Sequence, residues 1–116
     1  MPSFSEHVDV DALRFDASGL LPAIVRDTDG GAVLMLAWMD RAAVEQSLAT
    51  GSTVFYSRSR QELWPKGATS GNVQRIVSVA VDCDADALLL EVEQTGVACH
   101  TGEHSCFHRG LVGGPT

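Results

Sequence analysis

From residue 21 onward, apolar and polar positions fall into short alternating blocks separated by turn-forming residues. Residues 22–26 read as a strand, residues 27–31 as a turn rich in Asp and Gly, and residues 32–37 as the antiparallel partner of that strand. Asp40 is placed to cap a helix over residues 41–49, with Val44 and Leu48 on its inner face and Gly51 beyond its end. Residues 53–57 are rich in β-formers. Residues 73–81 alternate as a long strand, with Val73, Arg75, Val77, Val79 and Val81 on one face, and residues 88–94 return as another before Thr95 and Gly96 turn the chain. A period of two dominates the second half, and a single helical segment stands in the first. The pattern predicts an α+β fold, mainly antiparallel β-sheet with one substantial helix.

Two stretches depart from this regularity. Residues 1–20 predict a short helix over residues 9–15, anchored by Leu13 and Phe15 and ended at Ser18 and Gly19, as a segment covering the sheet. Residues 58–72 hold too many Gly, Ser and Pro for a regular element and read as a long loop, with three of the eight cationic side chains. Arg58, Arg60, Lys66 and Ser70, with the backbone freedom of Gly67 and Gly71, supply the donors that phosphate oxygens accept. A solvated loop with scattered charges is the plainer reading. Residues 110–116 read as a mobile tail.

With 116 residues and 45% hydrophobic content, the chain suits one domain over residues 1–116 with a modest core. A formal net charge of -7 gives no general attraction for nucleic acid or an acidic membrane, so an anionic substrate must be held by a local cluster of cations. The N-terminus lacks a signal pattern and no apolar run approaches the roughly 20 residues that span a bilayer, so a cytoplasmic location is expected. Three cysteines cannot all pair within one chain, and thiols gathered near histidine and aspartate suit metal binding better than a disulfide framework.

The chemistry concentrates between residues 81 and 106, which hold all three cysteines, three closely spaced aspartates and two of the four histidines. If this segment is extended, Asp82, Asp84 and Asp86 share one face and Cys83 the other. The carboxylates suit magnesium or calcium and the thiolates suit zinc. Asp82, Asp84, Asp86 and Glu93 also match positions 1, 3, 5 and 12 of an EF-hand loop, but Ala87 stands where that loop needs glycine and the flanks read as strands. An acidic turn between strands is the simplest alternative. Cys83, Cys99 and Cys106 leave a tetrahedral zinc one ligand short, which favours a catalytic over a structural site. His100, His104 and His108 are candidates for the fourth ligand or a general base. A zinc nucleobase deaminase would need His-x-Glu and Pro-Cys-x-x-Cys, and neither occurs. A metal module that only ties two chains together remains open.

Taken in order, Leu36-x-Trp38-Met39, Tyr56-Ser57-Arg58-Ser59-Arg60, Leu63-Trp64-x-Lys66-Gly67-x-x-Ser70-Gly71-x-x-Gln74, Asp82-Cys83-Asp84-x-Asp86 and Gln94-x-Gly96-x-Ala98-Cys99-His100-Thr101-Gly102-x-x-Ser105-Cys106-Phe107 resemble the phosphoribosyl-AMP cyclohydrolase family of histidine biosynthesis. The resemblance implies hydrolytic opening of the N1–C6 bond of the adenine ring of 1-(5-phosphoribosyl)-AMP. It implies magnesium on Asp82, Asp84 and Asp86, and zinc on Cys83, Cys99 and Cys106. It further implies an intertwined homodimer in which Cys83 comes from the other subunit. Pro65 and Ala68 depart from the family's pattern beside Lys66 and Gly67, at positions that hold no metal. The chain ends soon after Cys106, which predicts the monofunctional form without a pyrophosphohydrolase domain.

Within that resemblance, zinc would bring the pKa of a bound water towards about 7. His100, beside a ligand, is the expected proton shuttle, because imidazole is the side-chain type suited to proton transfer near neutral pH; a structural hydrogen bond is its competing role. Arg58, Arg60, Lys66, Ser70 and Gly71 are the expected phosphate holders, and Trp38 or Trp64 could stack on the base.

Overall fold

The computed structural model describes residues 3–115; Met1 and Pro2 of the expected cover segment and Thr116 of the expected tail lie outside them. Among the described residues there are six strands and one α-helix: β1 (Leu21–Asp27), β2 (Val33–Met39), α1 (Arg41–Thr50), β3 (Val54–Ser57), β4 (Glu62–Pro65), β5 (Gln74–Val81) and β6 (Leu88–Gln94). They form one sheet in the order β4-β3-β2-β1-β6-β5. Four of its pairings are antiparallel and β1 with β6 is parallel. The sheet is therefore mixed. Alternation is the same in either direction, so nothing in the pattern could report that the β5–β6 hairpin docks on the free edge of β1 with β6 innermost. No helix among the described residues is long and apolar enough to cross a membrane.

The helix forms where its caps require. The Asp40 carboxylate accepts the Ala43 N–H at 2.8 Å, and Gly51 turns left-handed at φ 75° to end it. Its inner face is Ala43, Val44 and Ser47, whereas Leu48, expected inside, is 53% exposed. Small residues let the helix sit close to β3. Ser47 Oγ accepts the Val54 N–H at 2.9 Å and donates to the Val54 carbonyl at 3.2 Å, so a polar side chain does what hydrophobicity assigned to Leu48.

Three other expectations change. Residues 58–72 are not one loop: β4 pairs with β3 from Val54↔Pro65 to Ser57↔Glu62. As the sheet's edge strand β4 tolerates Pro65 and is mostly exposed, so it carries no clean alternation. In β5 a bulge between Ile76 and Ser78 resets the faces, and Gln74, Ile76, Val79 and Val81 face the core instead of the expected uniform alternation from Val73. The N-terminal segment makes one 3-10 turn over Val10–Ala12 in place of a helix over residues 9–15, although Leu13 and Phe15 do pack on the core as expected.

The core gathers Leu21, Val25, Leu34, Met35, Met39, Phe55, Leu90 and Val92, all buried. Gln74, fully buried, is its polar centre. Its amide donates to Gln94 Oε1 at 2.8 Å and its carbonyl oxygen accepts from Thr53 Oγ1 at 2.9 Å. An unpartnered buried amide would cost roughly 1–3 kcal/mol, so this network ties the starts of β3 and β5 to the end of β6. The loop after β4 and the turn after β6 both leave from that knot.

Candidate active site

The aspartates lie in the turn between β5 and β6, so strand alternation does not bring them together. The Asp82 carboxylate caps the turn, accepting the N–H groups of Asp86 at 2.9 Å and Ala87 at 3.1 Å, while Ala85 adopts φ 62°. Ligand oxygens of Asp82, Asp84 and Asp86 then come within 4.8 Å of one another, all exposed. The Asp84 and Asp82 side chains push the Asp86 carboxyl up to about 6. Desolvation works against the Asp82 charge, but hydrogen bonds from Asp86, Ala87 and Asp84 outweigh it and hold that carboxyl below its ordinary range. Three crowded oxygens with unbalanced charge fit a hard cation. The EF-hand alternative fails here: both flanks are strands, and Glu93 pairs with Arg75 across β5 and β6.

The thiols divide. Cys83 is exposed in the acidic turn, whereas Cys99 is buried and Cys106 exposed in the segment after β6. Among the described residues the three sulfurs do not come within 4.8 Å of one another in one chain. Cys99 is held by a tight fold-back, with Ala98 N–H donating to the His104 carbonyl at 3.1 Å and Cys99 N–H to the Glu103 carbonyl at 3.2 Å. Cys106 N–H donates to the Leu34 carbonyl at 2.7 Å, which docks the same segment on β2. Hydrogen bonds from Thr101, whose Oγ1 lies 3.0 Å from Cys99 Sγ, lower the Cys99 thiol to about 7 against the opposing effect of burial. Burial, then the neighbouring Cys99, raises the Cys106 thiol, while the Lys66 charge works the other way. A pair of adjoining thiols, one ready to ionise, fits two positions of a soft-metal site.

Of the three candidate histidines, His108 lies beside the thiols, its Nε2 4.0 Å from Cys99 Sγ. His104 Nε2 instead meets the buried Asp27 at 3.2 Å and pins the segment to the first hairpin. His100 is exposed and lines a cleft of about 730 Å³ between β4 with its following loop and residues 97–102. Arg60, Trp64, Lys66, Ser70 and Cys99 line the same cleft.

Two expected phosphate holders stand elsewhere. Arg58 lies over the Trp38 ring, 4.6 Å from its centroid, and is not in the cleft wall. The Gly71 amide donates to the Gly67 carbonyl at 2.8 Å and is not free for phosphate. Lys66 is engaged as well, its Nζ donating to the Ala98 carbonyl at 2.6 Å. Sequence reasoning missed Asn72. A Cβ on Gly67 would stand 2.6 Å from the Asn72 carbonyl carbon, and one on Gly96 would overlap Asn72 Oδ1. Asn72 is thus wedged between two glycines and sets the spacing of the cleft walls; the only signal was Gly67 and Gly96 themselves.

A family profile described as phosphoribosyl-AMP cyclohydrolase matches residues 35–108, which include every cleft and metal-candidate residue named above. The chain is 59% identical over 100 residues to a phosphoribosyl-AMP cyclohydrolase of Pelotomaculum thermopropionicum, covering 86% of this chain and 78% of that protein. It is 54% identical over 103 residues to one from Acidiphilium cryptum, covering 89% of each. It is also 60% identical over 110 residues to a histidine biosynthesis bifunctional protein of Thermosynechococcus vestitus, covering 94% of this chain and 51% of that protein. The chain spans about half the length of the bifunctional relatives it matches.

Proposed function

The chain belongs to the phosphoribosyl-AMP cyclohydrolase family, and from that premise we propose that it opens the adenine ring of 1-(5-phosphoribosyl)-AMP by hydrolysis of the N1–C6 bond, yielding the formimino carboxamide ribonucleotide of histidine biosynthesis. The observation that carries the reading is a single cleft in which Cys99 and His100 face Arg60, Trp64 and Ser70. Zinc on Cys83, Cys99 and Cys106 would supply a water that is nucleophilic near neutral pH. Magnesium on Asp82, Asp84 and Asp86 would offset phosphate charge.

The residues of the cleft divide the remaining work. N1 carries the phosphoribosyl group and a positive charge, which makes C6 electrophilic. The imidazole of His100 takes a proton from the attacking water and returns one to N1 as the N1–C6 bond breaks, leaving the oxygen on C6 as a carboxamide. Trp64, tilted against Phe55 at 5.6 Å between centroids, offers the base an aromatic face. The Arg60 guanidinium and the Ser70 hydroxyl are the proposed phosphate contacts.

A homodimer with the zinc site shared between subunits completes the reading. Cys83 is exposed, and among the described residues the three sulfurs do not gather within 4.8 Å in one chain, which a thiol supplied by a second copy would resolve. The outward face of the sheet carries Leu36, Ile24 and Leu89 in one row across β2, β1 and β6, with Ile24 and Leu36 37% and 47% exposed. Such a row is apolar area that a second chain would cover. Three free thiols suit a reducing compartment, and the cytoplasm is the proposed location.

The test is the absorbance change when purified protein meets phosphoribosyl-AMP, with and without a chelator. Ring opening that stops on chelation and returns with zinc is expected. Unchanged substrate, with zinc and magnesium both present, would overturn the assignment.

A further inference from the structure

We propose that Lys66 is a positioning residue of the thiol site: its ammonium holds the peptide that presents Cys99 and offsets the charge of the gathered sulfurs, in place of binding a substrate phosphate. The inference rests on the zinc reading given above.

The geometry begins with a rigid corner. The Lys66 N–H donates to the carbonyl of the buried Thr53 at 3.0 Å, and Gly67, at φ 79°, sits against the backbone of Asn72 and Val73. From that corner the side chain crosses the cleft. Its Nζ reaches the Ala98 carbonyl at 2.6 Å and lies 5.4 Å from the centroid of the Trp64 ring. Ala98 is the residue before Cys99, and the N–H groups of both are already bound to the fold-back. Lys66 therefore bonds the one side of that peptide the fold-back leaves open. Lys66 and Cys99 line the same cleft.

The electrostatics favour this role over phosphate binding. Three thiolates around one divalent zinc leave a net negative charge, and a cation fixed beside them stabilises the loaded state. One of its three ammonium donors is bonded to the Ala98 carbonyl, and a phosphate that drew the head away would break that bond and the contact with the Trp64 face. Partners of this kind change metal affinity by about 10- to 100-fold when removed.

The test compares the full chain with Lys66→Met and Lys66→Arg. Zinc affinity is measured by competition with a chromophoric chelator, and kcat and KM are measured at saturating zinc. Lys66→Met should lose about 10- to 100-fold in zinc affinity and lower kcat with KM unchanged. Lys66→Arg, which keeps charge and donors, should recover most of both. If Lys66→Met bound zinc as tightly as the unaltered chain and raised KM instead, the lysine would be a substrate contact and the inference would fall. Should Lys66→Met not fold by circular dichroism, Lys66→Gln takes its place; zinc affinity equal to that of the unaltered chain would again overturn the inference. An unaltered chain that holds no zinc would remove the metal reading itself, an outcome distinct from either of these.

Discussion

Gly67 and Gly71 form a natural controlled comparison within one loop. Their φ angles are 79° and 81°, so alanine at either meets the same left-handed penalty of roughly 1–2 kcal/mol. Their surroundings differ. A Cβ at Gly71 meets nothing within 4 Å, whereas one at Gly67 stands 2.6 Å from the Asn72 carbonyl carbon and 2.6 Å from the Val73 nitrogen. Backbone atoms cannot swing aside, and overpacking of this kind costs about 1–3 kcal/mol beyond the conformational term. Gly67→Ala should therefore lose about 2–5 kcal/mol and Gly71→Ala about 1–2. Gly96→Ala, at φ 69°, would overlap Asn72 Oδ1, a side-chain end that can rotate, and should fall between them. Urea unfolding reads the difference: with a slope of about 2 kcal/mol per molar, each 2 kcal/mol moves the midpoint by about 1 M. All three variants must be compared at one protein concentration, because self-association would make the midpoint depend on it. Equal midpoints for Gly67→Ala and Gly71→Ala would refute the close approach of Asn72 and, with it, the account of how the cleft walls are spaced.

Three further outcomes are expected. Cys99→Ser should abolish both zinc content, read by metal analysis, and turnover; a zinc-free Cys99→Ser protein with full activity would remove the thiol from the chemistry. The crowding that raises Asp86 to about 6 means that a proton occupies the acidic turn below that pH and leaves above it. Magnesium bound at the proposed site would have to displace that proton, so calorimetric titration should show affinity holding above about pH 6 and falling as pH drops through it, up to about tenfold per unit; a flat profile from pH 7.5 to 5 would count against the carboxylate site. Phe55→Ala, at a fully buried ring packed on Trp64, should cost about 3–5 kcal/mol in unfolding free energy and loosen β4 in hydrogen exchange.

What local chemistry controls was readable along the chain. The first hairpin, the Asp40 and Gly51 caps and the β5–β6 return each depend on residues within a few positions of one another, so propensity and alternation were enough to place them. The family motifs likewise name the metal candidates without any coordinates. Tertiary structure decided the rest, because it depends on contacts between distant residues. The parallel pairing of β1 with β6, the bulge at Val77 and the edge role of β4 all follow from which strand meets which. The aspartates converge because a carboxylate caps a turn, not because a strand alternates. The sequence offers Lys66 and Gly71 as donors; the fold shows the Gly71 N–H bonded to the Gly67 carbonyl and one of the three Lys66 ammonium donors bonded to the Ala98 carbonyl, 32 residues away. A sequence records which donors exist, and only the folded chain determines which of them are already satisfied.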